Sequence, residues 1–466
     1  MNWRPYGTQS QGHGINKQSC GQLSFAALAR TLPRPLVEEQ LGKAGRKHKR
    51  ERLLPAHLMV YYTLAMCVYS QIGVEEVLRW VLEQARQLFG PQQVKIATSG
   101  AISSARKRLG SEVIETLYRC VAVALAQART KGAWHQGMRL VALDGSTLDL
   151  QDNAAIAAHY GYAKGRRGQS GFPKLRFAAL VETGTHALLG AHMGPYATSE
   201  QALAVQVLAA LGKNMLCLAD RLFYGYELWS QALQTGAQLL WRVKSNLRLP
   251  VEQTLGDGSY LSTLYANDKD RRKQRNGLRV RVIRYRLRGK GAPAENYRLI
   301  TTLLDWKAHR ALTLAALYPQ RWEIEIALDE FKTHLRGGSV VLRSKTVELV
   351  RQEFYAFMLA HYSVREHMHE AALRNDVEPV RMSYTHALEV IKRKIPAFEA
   401  DFSPCEDEEA MEADNRGNRR ERAAKAPDAK QSEGSEAQDE RLQPTKSRHS
   451  KSQGPHLQTF QSSDQH

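Results

Sequence analysis

Two textures of hydrophobic patterning follow one another along the chain. In residues 21 to 132 apolar positions recur at helical spacing in three stretches, Leu58 to Tyr69, Val74 to Phe89 and Ser111 to Ala128, with Gly and Pro punctuation between them. From residue 139 the apolar runs become short and rich in β-branched residues: Leu140 to Leu143, Leu175 to Val181, Ala187 to Ala191, Met215 to Ala219 and Gln238 to Val243. Helical patterns at Ser199 to Leu211 and Tyr224 to Leu233 separate the later runs. Three strands, then helix, strand, helix and strand, is the order of a ribonuclease H-like α/β core. After Asp305 the pattern returns to helix at Pro319 to Leu335, Val347 to Met368 and Tyr384 to Lys394.

Residues 246 to 304 interrupt that core. Arg279 and Arg281 alternate with Val280 and Val282, then Arg284, Arg286 and Arg288 alternate with Tyr285 and Leu287. Alternation predicts a strand with one basic face, and the change of phase at Val282-Ile283 predicts a bulge. From Lys269 to Lys290 there are 11 bases and one acid, so the segment reads as a basic β-rich insertion that lays arginines along a phosphate backbone. A solvated edge strand would show the same alternation.

Charge widens this picture. The 466 residues carry a formal +19, and residues 1 to 400 alone hold 56 bases against 33 acids. Such an excess on a folded body implies a polyanion, by default nucleic acid. The cluster Lys43, Arg46, Lys47, Lys49, Arg50 and Arg52 suits a DNA-holding helical domain or a solvated loop equally. Residues 401 to 466 have almost no large apolar side chains and cannot offset the entropy of ordering.

The expected division is a disordered 1–20; a helical DNA-binding domain 21–132; a split catalytic core, 133–245 and 305–372, around the insertion 246–304; a C-terminal helix 373–400; and a disordered tail 401–466.

Five scattered cysteines without a Cys-x-x-Cys pair predict neither a zinc site nor a disulfide framework. The most apolar stretch, Leu53 to Tyr69, is broken by Pro55 and His57 and falls short of the roughly 20 residues of a membrane helix, so a soluble, cytoplasmic protein is expected.

Three carboxylates carry the candidate chemistry. Asp144 and Asp220 each end an apolar run, at the ends of strands one and four, and Glu325 lies in the helix after Pro319. At about 100° per residue, Tyr318, Arg321, Glu325 and Lys332 share an arc of about 60° beside the apolar arc of Ile324, Leu328, Phe331 and Leu335. A structural ion pair would account for such a stripe, and Asp329 could face the site in place of Glu325. Two strand-end aspartates in the correct fold order favour a site for two Mg²⁺ ions, which take oxygen ligands and serve phosphodiester exchange; Mn²⁺ could substitute. No His-Glu-x-x-His, Gly-x-Ser-x-Gly or nucleotide-binding phosphate loop is present, so zinc hydrolysis, serine catalysis and a nucleotide cofactor are not expected.

The spaced set Tyr318-x-x-Arg321-x-x-x-Glu325-x-x-x-x-x-x-Lys332 resembles the signature of the DDE transposases grouped around insertion sequence four. Asp144-Gly145-Ser146, Ala219-Asp220-Arg221 and Leu342-Arg-Ser-Lys345 resemble that family's other blocks, over residues 21 to 372. The resemblance implies that Asp144, Asp220 and Glu325 are the metal ligands and that Tyr318, Arg321 and Lys332 contact DNA. It implies cut-and-paste transposition of an insertion sequence, through a hairpin, by a homodimer on its terminal inverted repeats and target DNA. Hairpin formation needs a flipped base stacked on an aromatic ring, for which Trp306 and Trp322 are candidates, although both also suit a core. The tail after 400 lies outside the resemblance. Two other readings share the carboxylates: a nuclease of this fold without strand transfer, and a non-catalytic DNA-binding derivative.

Overall fold

The computed structural model describes residues 30–47, 54–89, 97–165, 168–287, 295–337, 341–393 and 457–458. The expected disordered ends (apart from 457–458), the last residues of the expected C-terminal helix, and Lys49, Arg50, Arg52, Arg288 and Lys290 lie outside them.

Among the described residues five helices come first: α1 (Arg34–Lys43), α2 (Ala56–Val68), α3 (Val74–Phe89), α4 (Ser99–Leu109) and α5 (Ser111–Val121). Every residue of α2 except His57 is buried, as an all-round apolar helix requires. No helix among the described residues is long and apolar enough to cross a membrane. The pattern from Ser111 to Ala128 stops being helical at Val121: the Val123 amide turns to the Val121 carbonyl at 2.7 Å, and those of Leu125 and Ala126 donate to the buried Glu182 carboxylate.

The core then runs β1 (Trp134–His135), β2 (Met138–Asp149), α6 (Ala154–Tyr160), β3 (Tyr162–Gly165), β4 (Gly168–Glu182), β5 (Ala187–Pro195), α7 (Glu200–Val207), β6 (Met215–Ala219), α8 (Tyr226–Gln234) and β7 (Gln238–Arg242). Strands β5, β4, β2, β6 and β7 lie side by side in that order, with β4 antiparallel to both its neighbours and β6 and β7 parallel to β2. This is the ribonuclease H-like arrangement. The central strands β6 and β7 are short and buried on both faces, which is why they read as continuous apolar runs.

The insertion continues the same sheet through β8 (Gln253–Thr254), β9 (Tyr260–Leu264), α9 (Asp268–Arg272), β10 (Leu278–Leu287) and β11 (Glu295–Thr301). Its last strand, β11, pairs antiparallel with β7 at Ile300↔Trp241, so the insertion extends the core sheet edge to edge. The expected bulge in β10 is absent: its register with β11 runs unbroken from Arg281↔Thr301 to Leu287↔Glu295. Strict alternation therefore puts Arg279 and Arg281 on one face and Arg284 and Arg286 on the other, and the single basic face does not form. Both faces of the strand's middle are covered, with Val282 and Ile283 equally buried.

After the insertion come α10 (Ala311–Leu317), a 3₁₀ turn (Tyr318–Trp322), α11 (Glu323–Asp329), a π turn (Glu330–Leu335), α12 (Val347–Arg374) and α13 (Tyr384–Arg393), and Leu457–Gln458 pair antiparallel with β10. Helix α12 packs against α2 and α5 as well as β5, so the N-terminal helices and the sheet share one hydrophobic core.

Candidate active site

Asp144 does not end its strand. β2 runs on to Asp149 in antiparallel pairing with β4, whereas its parallel pairing with β6 stops at Leu143↔Ala219. Asp144 and Asp220 thus stand at matching positions one residue beyond the last paired rung of two neighbouring parallel strands. Asp144 Oδ1 accepts the Gly145 amide at 2.8 Å.

The segment carrying Tyr318, Arg321, Glu325 and Lys332 is one continuous rod of changing pitch, 3₁₀, then α, then π, and not the uniform helix expected from the sequence. Ile324, Leu328, Phe331 and Leu335 are buried and anchor it. All four polar residues meet β2, the end of β6 or one another. Tyr318 Oη donates to the carbonyl of Ala219, immediately before Asp220, at 3.2 Å. The buried Arg321 reaches Asp144 Oδ2 with Nη1 at 3.5 Å and Glu325 Oε1 with Nη2 at 3.0 Å. Lys332 Nζ donates to Ser146 Oγ at 2.9 Å, two residues beyond Asp144 and so on the same face of β2. Asp329, the alternative to Glu325, instead accepts from Thr333 Oγ1 at 2.6 Å.

The electrostatics are those of a crowded acidic site. Burial pushes the Asp144 carboxyl up to about 6; the Gly145 amide and Arg321 pull it down, and Glu325 and Glu200 push it further up. Burial also raises the Tyr318 phenol well above its ordinary value, so it acts as a hydrogen-bond donor and not as a base. The buried Nε of Arg321 has no hydrogen-bond partner among the described residues.

Glu200 escaped the sequence analysis. It opens α7 behind the Ser199 cap, and its side chain lies so close to Gly145 that a Cβ there would come within 2.8 Å of Cδ. The Ser-Glu start of a helix signals only a cap, and nothing in the sequence relates it to Asp144.

No group of three or more His, Cys, Asp or Glu among the described residues stands close enough to hold a metal ion. Arg321 balances Asp144 and Glu325 across the space between them. The donor set, carboxylate oxygens without His or Cys and a carboxyl raised by burial with neighbouring carboxylates adding to the shift, nevertheless fits a hard divalent cation.

The other expected DNA contacts are scattered. Trp322 is 54% exposed beside the site, with the Arg321 guanidinium 4.6 Å from its ring centroid. Trp306 lies against the insertion, its ring over Gly256 and under Arg310. Arg279 is exposed and paired with Glu252 at 3.0 Å, and the exposed Arg284 lies over the Tyr260 ring. The expectation for Arg281 is corrected: it is completely buried, donating to Ser259 Oγ, Asp257 and the carbonyls of Leu303 and His309. A guanidinium that spends its donors inside the protein has none to offer phosphate.

Two family models match the chain: the insertion element 4 transposase N-terminal family over residues 22–119 and the transposase DDE domain over residues 135–362. Transposase InsG for insertion sequence element IS4 of Escherichia coli K12 is 25% identical over 80% of this chain and 83% of its own length. The putative transposase InsZ of the same organism is 30% identical over 47% of this chain and 71% of its own. A piggyBac transposase synaptic complex with hairpin DNA aligns over 88% of this chain and 87% of its own, with a TM-score of 0.43 and 9% identity, a likeness too loose to bear on function.

Proposed function

We propose that this chain, which belongs to the insertion element 4 family of DDE transposases, cuts DNA at the terminal inverted repeats of its own element and joins the freed ends to target DNA. The observation that carries this reading is the convergence of Arg321, Glu325 and Lys332 on Asp144 and Ser146, with Tyr318 tied to the residue before Asp220.

In this reading Asp144, Asp220 and Glu325 hold two divalent cations, Mg²⁺ or in its place Mn²⁺. When bound, the ions supply activation of the attacking oxygen and stabilisation of the leaving one. Arg321 releases Glu325 and turns to a backbone phosphate, for which its unpartnered Nε and planar fork are suited. Lys332 exchanges Ser146 for a phosphate oxygen as a point charge. Tyr318, buried and with its hydroxyl spent on the carbonyl of Ala219, keeps the helix registered on the end of β6, so the DNA contact expected of it gives way to a structural role.

The exposed Trp322 supplies a face on which a base turned out of the duplex stacks, as a hairpin intermediate requires. Arg279 and Arg284 contact the duplex backbone from opposite faces of the insertion sheet, and a homodimer brings two ends together. The same carboxylates serve water and the freed 3′-hydroxyl in turn, and no nucleotide is consumed.

The test is incubation of the protein with a labelled duplex carrying the ends that flank its own gene, with Mg²⁺ and with EDTA. Metal-dependent nicking at the element boundary, followed by hairpin or strand-transfer product, is expected. Nicking without transfer would favour the nuclease reading, and binding without cleavage the DNA-binding derivative.

A further inference from the structure

Behind the helix that carries Glu325, on the side away from Asp144, lies a buried charged cluster that the proposed chemistry does not use. At its centre is His186, the last residue of the turn between β4 and β5, with φ 59 and a ring that is 1% exposed. The left-handed conformation is uncommon for a residue with a Cβ and persists only where the surroundings enforce it. They do so here. Glu182, at the start of the turn, accepts the amides of Leu125 and Ala126 at 3.1 and 2.9 Å and the Thr185 hydroxyl at 2.5 Å, and pairs with Arg139. Gly184 packs against Ala133 so closely that a Cβ would fall 2.5 Å from that residue's Cα.

From this fixed base the imidazole reaches two carboxylates of the helix. Nε2 lies 2.9 Å from Glu323 Oε2, and Nδ1 lies 3.1 Å from Glu330 Oε1 and 2.6 Å from Arg365 Nη2. The closer contact of Nδ1 requires its lone pair, so the ring proton sits on Nε2 and is donated to Glu323. Arg365, completely buried, also donates Nε to Glu330 Oε2 at 2.9 Å, and His361 stands 3.4 Å from the same oxygen. Seven residues separate Glu323 from Glu330, about 340° of helical rotation, so both lie on one side of the rod; Glu325, about 200° from Glu323, lies on the other. Glu330 also begins the π turn that carries Lys332, and such turns cluster at functional sites.

We propose that His186, with Arg365, is a positioning residue: its ring donates to Glu323 and accepts from Arg365, whose guanidinium holds Glu330, and the pair clamps both carboxylates from behind and thereby sets the rotation of the rod that presents Glu325 to Asp144 and Lys332 to Ser146. The consequence for turnover rests on the transposase reading, but the mechanical claim does not. The clamp also links the site to residues 122–133, the connection from the N-terminal helices, because the turn that holds His186 is itself held by Leu125, Ala126 and Ala133.

Two replacements separate positioning from mere stability. In His186→Phe the ring shape remains and every polar contact of the ring goes; in His186→Gln the amide can donate to Glu323 and accept from Arg365. For His186→Phe we expect binding of an element-end duplex within about threefold of wild type, single-turnover cleavage slower by about tenfold or more, and faster amide exchange confined to residues 323–335. His186→Gln should recover cleavage to within about threefold of wild type. Should His186→Phe fail to fold, Glu323→Ala severs one arm of the clamp at a side chain that is 31% exposed and is expected to shift exchange and cleavage in the same direction. Wild-type exchange in 323–335, or wild-type cleavage per folded molecule, in variants lacking the clamp would overturn the proposal. A wild-type protein that does not cleave at all would sink the transposase reading, while the exchange measurement would still decide the clamp.

Discussion

Arg281 and Arg284 lie three residues apart in one basic strand, and their replacement should have opposite consequences. The Arg281 guanidinium donates Nε to Ser259 at 2.8 Å and Nη1 to the carbonyls of Leu303 and His309 at 3.2 and 2.6 Å, and Nη2 pairs with Asp257. Asp257 in turn accepts the amide of Ala311, the first residue of α10, at 2.8 Å. The pair therefore joins the insertion to the element that leads into Tyr318.

Arg281→Ala would leave the nearly buried Asp257 carboxylate without its cation and two carbonyls without their donor. Breaking one side of a buried pair costs about 3–5 kcal/mol, which should lower the Tm by several degrees. Arg284→Ala, at an exposed position stacked on Tyr260, should change stability by no more than about 0.5 kcal/mol. On DNA the order reverses: loss of one phosphate contact lowers the slope of log K against log salt by about 0.9, expected for Arg284 and not for Arg281. Thermal unfolding and a salt titration of duplex binding by the two variants decide the matter. An Arg281→Ala protein with wild-type Tm and a reduced salt slope would refute the assignment of Arg281 to the interior.

Asp144→Asn should retain duplex binding within a few fold and lose cleavage by at least about 10³-fold in a gel assay, since removing a group that acts only in the transition state leaves ground-state binding intact. Trp322→Ala, at an exposed ring, should leave Tm unchanged and slow hairpin formation by the equivalent of about 1–3 kcal/mol of stacking; unaltered hairpin yield would remove Trp322 from that role. Glu330 is held well below the ordinary carboxylate range: burial opposes its charge, but the Arg365 guanidinium beside it overcomes that cost. A depressed folded value means that its stabilisation is fully present above the unfolded value of about 4.3 and fades as pH falls through the folded one. The urea stability gap between wild type and Glu330→Gln should accordingly shrink on going from pH 7 to strongly acidic solution, and a gap that widens would contradict the buried pairing with Arg365.

Much of this protein could be read along the chain because its signals are local. The strand and helix order of the core follows from runs of β-branched residues alternating with helical periods, and the parallel neighbours β2 and β6 bring Asp144 and Asp220 to matching positions whatever surrounds them. The spacing of Tyr318, Arg321, Glu325 and Lys332 survives changes of pitch because each residue needs only to stay on the broad side that faces the strand ends.

What the tertiary structure decided concerns which charges are covered. Arg281 and Arg284 are the same residue type in the same alternating strand, and only the packing of Asp257, Ser259 and the loop after β11 on one of them determines that it is structural. The helix from Ser111 ends at Val121, and the amides of Leu125 and Ala126 beyond it go to Glu182, from a distant hairpin. Glu200 beside Gly145 and His186 behind the Glu325 helix depend on contacts across 55 and 137 to 144 residues of sequence. Periodicity reports how a residue relates to its own element, and burial of a charge is set by whichever other elements close over it.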